Sequence, residues 1–213
     1  IGAGFQATYG QKRLDNTKLF TEDMLTPFGF TGVSSDNLFD QKNPNISYVD
    51  VNAGIIYTGS SSDRNNYYIG ASVYHINKPK ESFIGGNWSI SPRATIHAGG
   101  YFPVSDLLTF HTSAIYQLQG KASETTVGGA IAASLGEDEV NPSTVYAGAW
   151  MRLSDAIIPY IGLEFSGMRI GASYDVNISD LKSGSQSRGG MEISLIYIKR
   201  PLGSGRGIPC PKF

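Results

Sequence analysis

Residues 47–80, SYVDVNAGIIYTGSSSDRNNYYIGASVYHINKPK, alternate apolar and polar side chains with a period of two over two successive runs. In the first run Val49, Val51, Ala53, Ile55 and Tyr57 share one face, against Tyr48, Asp50, Asn52, Gly54 and Ile56 on the other. In the second, Tyr67, Ile69, Ala71 and Val73 oppose Tyr68, Gly70, Ser72 and Tyr74. Successive side chains of a strand point to opposite faces, so this pattern predicts a hairpin with one apolar and one largely polar side, closed by the polar turn TGSSSDRN. Each strand spans about ten residues, the length a tilted strand needs to cross a bilayer and longer than the about 5–6 of soluble strands.

The same alternation recurs along the chain. Residues 1–10 and 11–20 read as the first two strands, followed by a long excursion over residues 21–45. Further strands are predicted at 93–102, 108–116, 127–135, 144–151, 157–167, 168–178 and 191–198. That makes about eleven, with boundaries uncertain by a few residues. Single-chain outer-membrane barrels have even strand numbers, and the sequence opens in mid-pattern at Ile1 with neither a start Met nor a signal peptide. The expectation is an antiparallel all-β transmembrane outer-membrane barrel over residues 1–199 whose N-terminal strands are absent from this sequence. An irregular Pro- and Gly-rich tail, RPLGSGRGIPCPKF, follows at 200–213. The long connections at 21–45, 77–92 and 179–188 fall on one side of such a sheet and mostly short turns on the other, the asymmetry of outer-membrane barrels. Short connections near Lys121 and Ser154 also sit on the long-loop side.

Composition narrows the function. Charged residues are only 16% of the chain, below the quarter usual in soluble domains, and the net charge of −1 gives no basic surface for nucleic acid. No run of about 18 apolar residues exists, so a membrane would be crossed by strands and not by a helix. The single Cys210 excludes an internal disulfide framework or a cysteine-rich zinc site, and His75, His97 and His111 lie on separate segments. The glycine-rich pieces lack the Lys-Ser/Thr and the strand-to-helix setting of a phosphate loop, so no cofactor is expected. His111-x-Ser113 has the spacing to bring a base and a nucleophile together, but both fall on the face opposite Phe110, Thr112 and Ala114, away from lipid and with no third partner at hand. An enzyme is therefore not expected.

If the apolar rows meet lipid, Asp50, His97, Glu164, Arg169, Asp175 and Glu192 line the interior. An arginine on the lipid face would cost about 2–4 kcal/mol near the midplane, which is why their shared parity supports the barrel. They would line a polar channel or fill the lumen as paired charges, Glu164 with Arg169 being one such pair. Small residues Gly128, Ala130, Ala132 and Ser134 suggest a wall packed closely against something inside.

The segments YVDVNAGIIY, YYIGASVYHINKPKESF, SPRATIHAGGYFPVS and IPCPKF resemble the PorP/SprF family of outer-membrane proteins of the type IX secretion and gliding machinery of Bacteroidetes. The matching stretches include residues 79–83 and 209–213, and the family's signal peptide and first strands have no counterpart here. The resemblance implies a non-enzymatic barrel in the bacterial outer membrane, surrounded by lipid. Its role would be docking or surface anchoring of exported cargo, such as adhesins with a C-terminal sorting domain, in contact with other secretion components including periplasmic ones. Phe39, Phe83 and Trp88 on the long outer loops are the expected apolar anchors. Pro209, Cys210, Pro211 and Phe213 of the tail would fold back into the lumen or reach a periplasmic partner. The main alternative is a passive porin or small-solute transporter; a soluble β-sandwich adhesin is a third reading, which needs the apolar faces to cover one another.

Overall fold

The computed structural model describes residues 1–15, 18–34, 45–62, 65–83, 86–135, 143–180, 184, 186 and 188–197. Ten long strands form one antiparallel sheet in the order β1-β4-β5-β6-β7-β8-β9-β10-β11-β12. They are β1 Gly2–Arg13, β4 Asn45–Ser62, β5 Asn65–Tyr74, β6 Arg93–Pro103, β7 Leu108–Gln119, β8 Ala122–Leu135, β9 Ser143–Arg152, β10 Ala156–Phe165, β11 Met168–Asn177 and β12 Arg188–Tyr197. Two short strands, β2 Leu25–Thr26 and β3 Gly29–Phe30, make a separate ribbon in the first excursion. Neighbouring strands of the main sheet follow one another in the chain apart from that excursion, the arrangement of a meander. Among the described residues no helix is long and apolar enough to cross a membrane.

Two expectations change. Residues 1–10 and 11–20 are one strand ending at Arg13, not two, because no turn residue pair breaks the run at Gly10 and Gln11. Instead Gly10 leaves room for the Tyr48 ring of β4, which would stand 2.9 Å from a Cβ placed there. Among the described residues the sheet is therefore even-numbered, so an odd count no longer speaks for a missing partner. The polar run TGSSSDRN is not all turn either: β4 continues through Ser62 and β5 starts at Asn65. Ser60 Oγ donates to the carbonyls of Ser62 and Asn65 at 2.6 and 2.8 Å, so hydroxyls satisfy the backbone where the strands end.

The chain forms two compact units, Ile1–Ala3 with Ile55–Ser72 and Ala94–Phe213, and Gly4–Gly54 with Val73–Arg93. In both, burial is inverted relative to a soluble protein. In the first unit Ile55, Ile69, Ile96, Ile161 and Leu195 are exposed, while Thr95, Ala130, Tyr146 and Ala156 are buried. In the second, Val49 is exposed beside the buried Asp50 and Asn52. Among the described residues no large side chain is fully buried. Among the described residues the period-two alternation thus leaves the apolar row of the inner strands of the sheet exposed. A β-sandwich would show the opposite, since its apolar faces bury each other.

Candidate functional site

The inner face of the first unit is organised around Glu164 and Arg169, which face each other across the β10–β11 pairing. Arg169 donates from Nη2 and Nε to Glu164 Oε2 at 2.5 and 2.9 Å, and from Nη2 to the Tyr146 hydroxyl at 2.7 Å. Tyr146 in turn donates to Glu164 Oε2 at 2.8 Å, and the guanidinium lies 4.3 Å from its ring centroid. A half-buried charge needs a partner and satisfied hydrogen bonds, and here each charge cancels the other.

Aromatic side chains continue from this pair along the same face. His111 stacks on Tyr101 with centroids 5.7 Å apart and meets Tyr146 edge-on at 5.6 Å. Trp150 packs edge-on against Tyr160 at 5.8 Å and donates from Nε1 to Ser113 Oγ at 2.8 Å. With Asn66, Tyr68 and Arg169 these groups line a cavity of about 200 Å³. His111 and Ser113 both take part, as packing and as an acceptor for the indole. Among the described residues no three His, Cys, Asp or Glu side chains gather as a metal site would require.

At the other end of β9–β11, Arg152 bridges two carboxylates, donating to Asp155 at 2.8 Å and to Asp175 at 3.1 Å. Arg152 was not among the residues read from the sequence as interior, although its even position in β9 puts it on the row of Tyr146 and Trp150. Asp155 lies in the turn outside the strands, and Ser179 Oγ also donates to it at 3.2 Å. The hydrogen bond from Arg152 holds the Asp155 carboxyl below its ordinary range against desolvation, with Ser179 and the Arg152 charge adding to it. A carboxylate depressed in the folded state stabilises above its unfolded pKa, and that contribution is lost as pH falls through the folded value. Asp155→Asn is therefore less stable than the parent at neutral pH, and the deficit closes on acidification below about pH 3.9, the ordinary Asp value. Urea titrations at neutral and acid pH check this; a deficit independent of pH would contradict it.

His97 is half-buried over Gly70 and beside Tyr68 at 5.8 Å. Glu192 pairs in register with Ser173 and so shares the inner face, but β12 is a terminal strand of the sheet and leaves it exposed.

In the second unit Asp50 meets His75 Nδ1 at 3.0 Å, and Asn52 Oδ1 accepts from the His75 amide at 2.9 Å. The Asn77 side chain accepts from Val51 N and donates to Val49 O at 3.1 and 2.7 Å, standing in for a paired strand. His75 reaches this position with φ 58°, a local conformation that alternation alone does not announce. Lys12 and Glu81 form an ion pair between β1 and the 75–92 loop.

The first excursion is built by its own side chains. Met24 is buried, Ser34 Oγ donates to Asp23 at 2.9 and 3.1 Å, and Thr31 Oγ1 donates to Met24 O at 3.1 Å. The β2–β3 turn, with Gly29 at φ 118° and Thr26 Oγ1 donating to Gly29 O at 2.9 Å, holds Phe28 fully exposed at its tip. Phe20 and Phe30 pack edge-on at 5.3 Å and remain exposed with Leu25 and Val33. The signal for these residues was the aromatic density of FTEDMLTPFGF, which reasoning on the loop's length alone passed over. Of the three expected anchors, Trp88 is 74% exposed, Phe83 is half-buried, and Phe39 lies outside the described residues, as do Pro209, Cys210, Pro211 and Phe213.

Residues 1–197 match a family model described as type IX secretion system membrane protein PorP/SprF. No curated protein matches the chain.

Proposed function

We propose that this chain, which belongs to the PorP/SprF family of type IX secretion system membrane proteins, is a docking subunit that holds exported cargo at the outer membrane. The observation that carries the proposal is the self-braced 20–34 excursion, which leaves Phe28 and neighbouring apolar side chains exposed. Contiguous exposed apolar groups on an ordered loop mark an interaction surface, and aromatic anchors supply most of the energy of such contacts. In this reading the exposed rows of the sheet meet lipid, and residues 1–199 form the barrel. The 20–34 and 75–83 segments face the exterior, and secreted chains with a C-terminal sorting domain bind them. Trp88 and Phe83 on the second loop contribute to the same surface.

Co-purification from the native membrane tests this. The parent protein captures a secreted chain bearing a sorting domain together with other secretion components. Replacing Phe28 and Trp88 by Ala weakens cargo capture about tenfold or more, the loss of one or two anchor residues, without altering folding. Unaltered capture would remove the loops from the proposal. A steady open conductance of the purified protein in planar bilayers would favour a passive porin instead.

A further inference from the structure

Three large rings on the inner face of the first unit lie over glycines. The Trp150 Cγ stands 2.7 Å from where a Cβ on Gly128 would be, and the Tyr160 hydroxyl 2.6 Å from that of both Gly162 and Gly171. The Tyr68 hydroxyl is likewise 2.6 Å from a Cβ on Gly99. A side chain at Gly162 or Gly171 would displace the Tyr160 hydroxyl, and one at Gly128 or Gly99 would also meet strand backbone, Ala149 O at 2.3 Å and Thr112 O at 2.6 Å. The Tyr160 ring, whose hydroxyl end rests over Gly162 and Gly171, lies along the wall, and Trp150 stands edge-on to it at 87°.

We propose that the cavity bounded by Tyr68, Tyr101, Trp150 and Tyr160 binds a single neutral sugar ring, a function separate from cargo docking. Its volume of about 200 Å³ is below the roughly 300–1,000 Å³ of pockets for drug-sized ligands, so it suits one ring. Its charge is already balanced, since Arg169 is bonded to Glu164 and Tyr146, and an ionic ligand would enter without a counter-charge. Its chemistry alternates as a pyranose does. Aromatic faces suit the C–H face of a sugar, and the Asn66 amide and Tyr101 hydroxyl, which make no hydrogen bond with another described residue, suit its hydroxyls. An aromatic side chain from a protein would use the faces but leave those polar groups unpaired, which disfavours it.

The protein contains two tryptophans, so Trp88→Phe leaves Trp150 as the sole indole reporter. The full chain in detergent is titrated with glucose, galactose, mannose and N-acetylglucosamine, and separately with glucuronate and N-acetylphenylalaninamide. At least one neutral sugar gives a saturable change in Trp150 emission, and glucuronate and the amide bind at least about tenfold more weakly. Tyr101→Ala and Asn66→Ala each weaken the sugar about tenfold, the loss of one stacking face or one hydrogen bond, while the heat-sensitive mobility of the folded form on gels stays unchanged. The proposal is overturned if no neutral sugar gives a saturable change, if N-acetylphenylalaninamide binds as tightly, or if both folded variants bind sugar as the parent does.

Discussion

Ile161→Arg destabilises the protein in a bilayer by about 2–4 kcal/mol, the cost of an arginine on the lipid face of a barrel near the midplane. Ile161 sits in the middle of β10, between its register partners Ala147 and Ala172, and is 67% exposed. In a soluble protein a side chain so exposed tolerates substitution within about 0.5 kcal/mol, because it exchanges one watery surface for another. The two environments therefore give answers that differ by several-fold. Urea-dependent folding into vesicles, followed by the shift of the folded band on gels, measures it. A change at Ile161 no larger than that of Lys121→Arg in the β7–β8 turn would place the apolar rows in water.

Glu164→Ala is the second large effect. It leaves Arg169 half-buried with its counter-charge gone and the Tyr146 hydroxyl without its acceptor. Removing one partner of a buried pair costs about 3–5 kcal/mol. Glu164 and Arg169 keep 25% and 22% of their side-chain surface exposed, and water reaching them reduces the penalty to about 2–3 kcal/mol. Replacing both residues, Glu164→Leu with Arg169→Met, restores most of the loss, since an apolar pair of similar volume carries no unpaired charge. Equilibrium unfolding of the two single variants and the double variant forms a cycle that isolates the coupling. Additive losses with no recovery in the double variant would show that the pair does not act as a unit.

The strands and their faces were legible because the period of a strand is two: a slip of one residue would turn Val49, Ile55 and Ile161 inward and Asp50, Asn52 and Glu164 outward. The ends of strands were less so. Ser, Thr and Asn in residues 58–65 carry the chemistry of turns, yet the Ser60 hydroxyl supports an extended backbone as readily, and tertiary pairing prolonged β4 through Ser62. The Glu164 and Arg169 pair was readable because a tight hairpin puts them opposite each other. Trp150 with Ser113, or Asp50 with His75, depends on register between distant strands or on a single left-handed residue, and neither leaves a mark in local spacing. The glycines beneath Trp150 and Tyr160 were visible only as small residues; what fills the space they leave emerges from the cross-strand pairing of Gly128 with Trp150 and of Gly162 with Gly171.

The central claim is that lipid covers the outer rows of this sheet. With Cys210 replaced by Ser, a single cysteine at Ile161 or at Ser173 carries an environment-sensitive fluorophore in vesicles of brominated lipid. Strong quenching at Ile161 with little at Ser173 is the predicted result. Equal quenching at both positions, or a label at Ile161 reached mainly by aqueous iodide, would contradict the account.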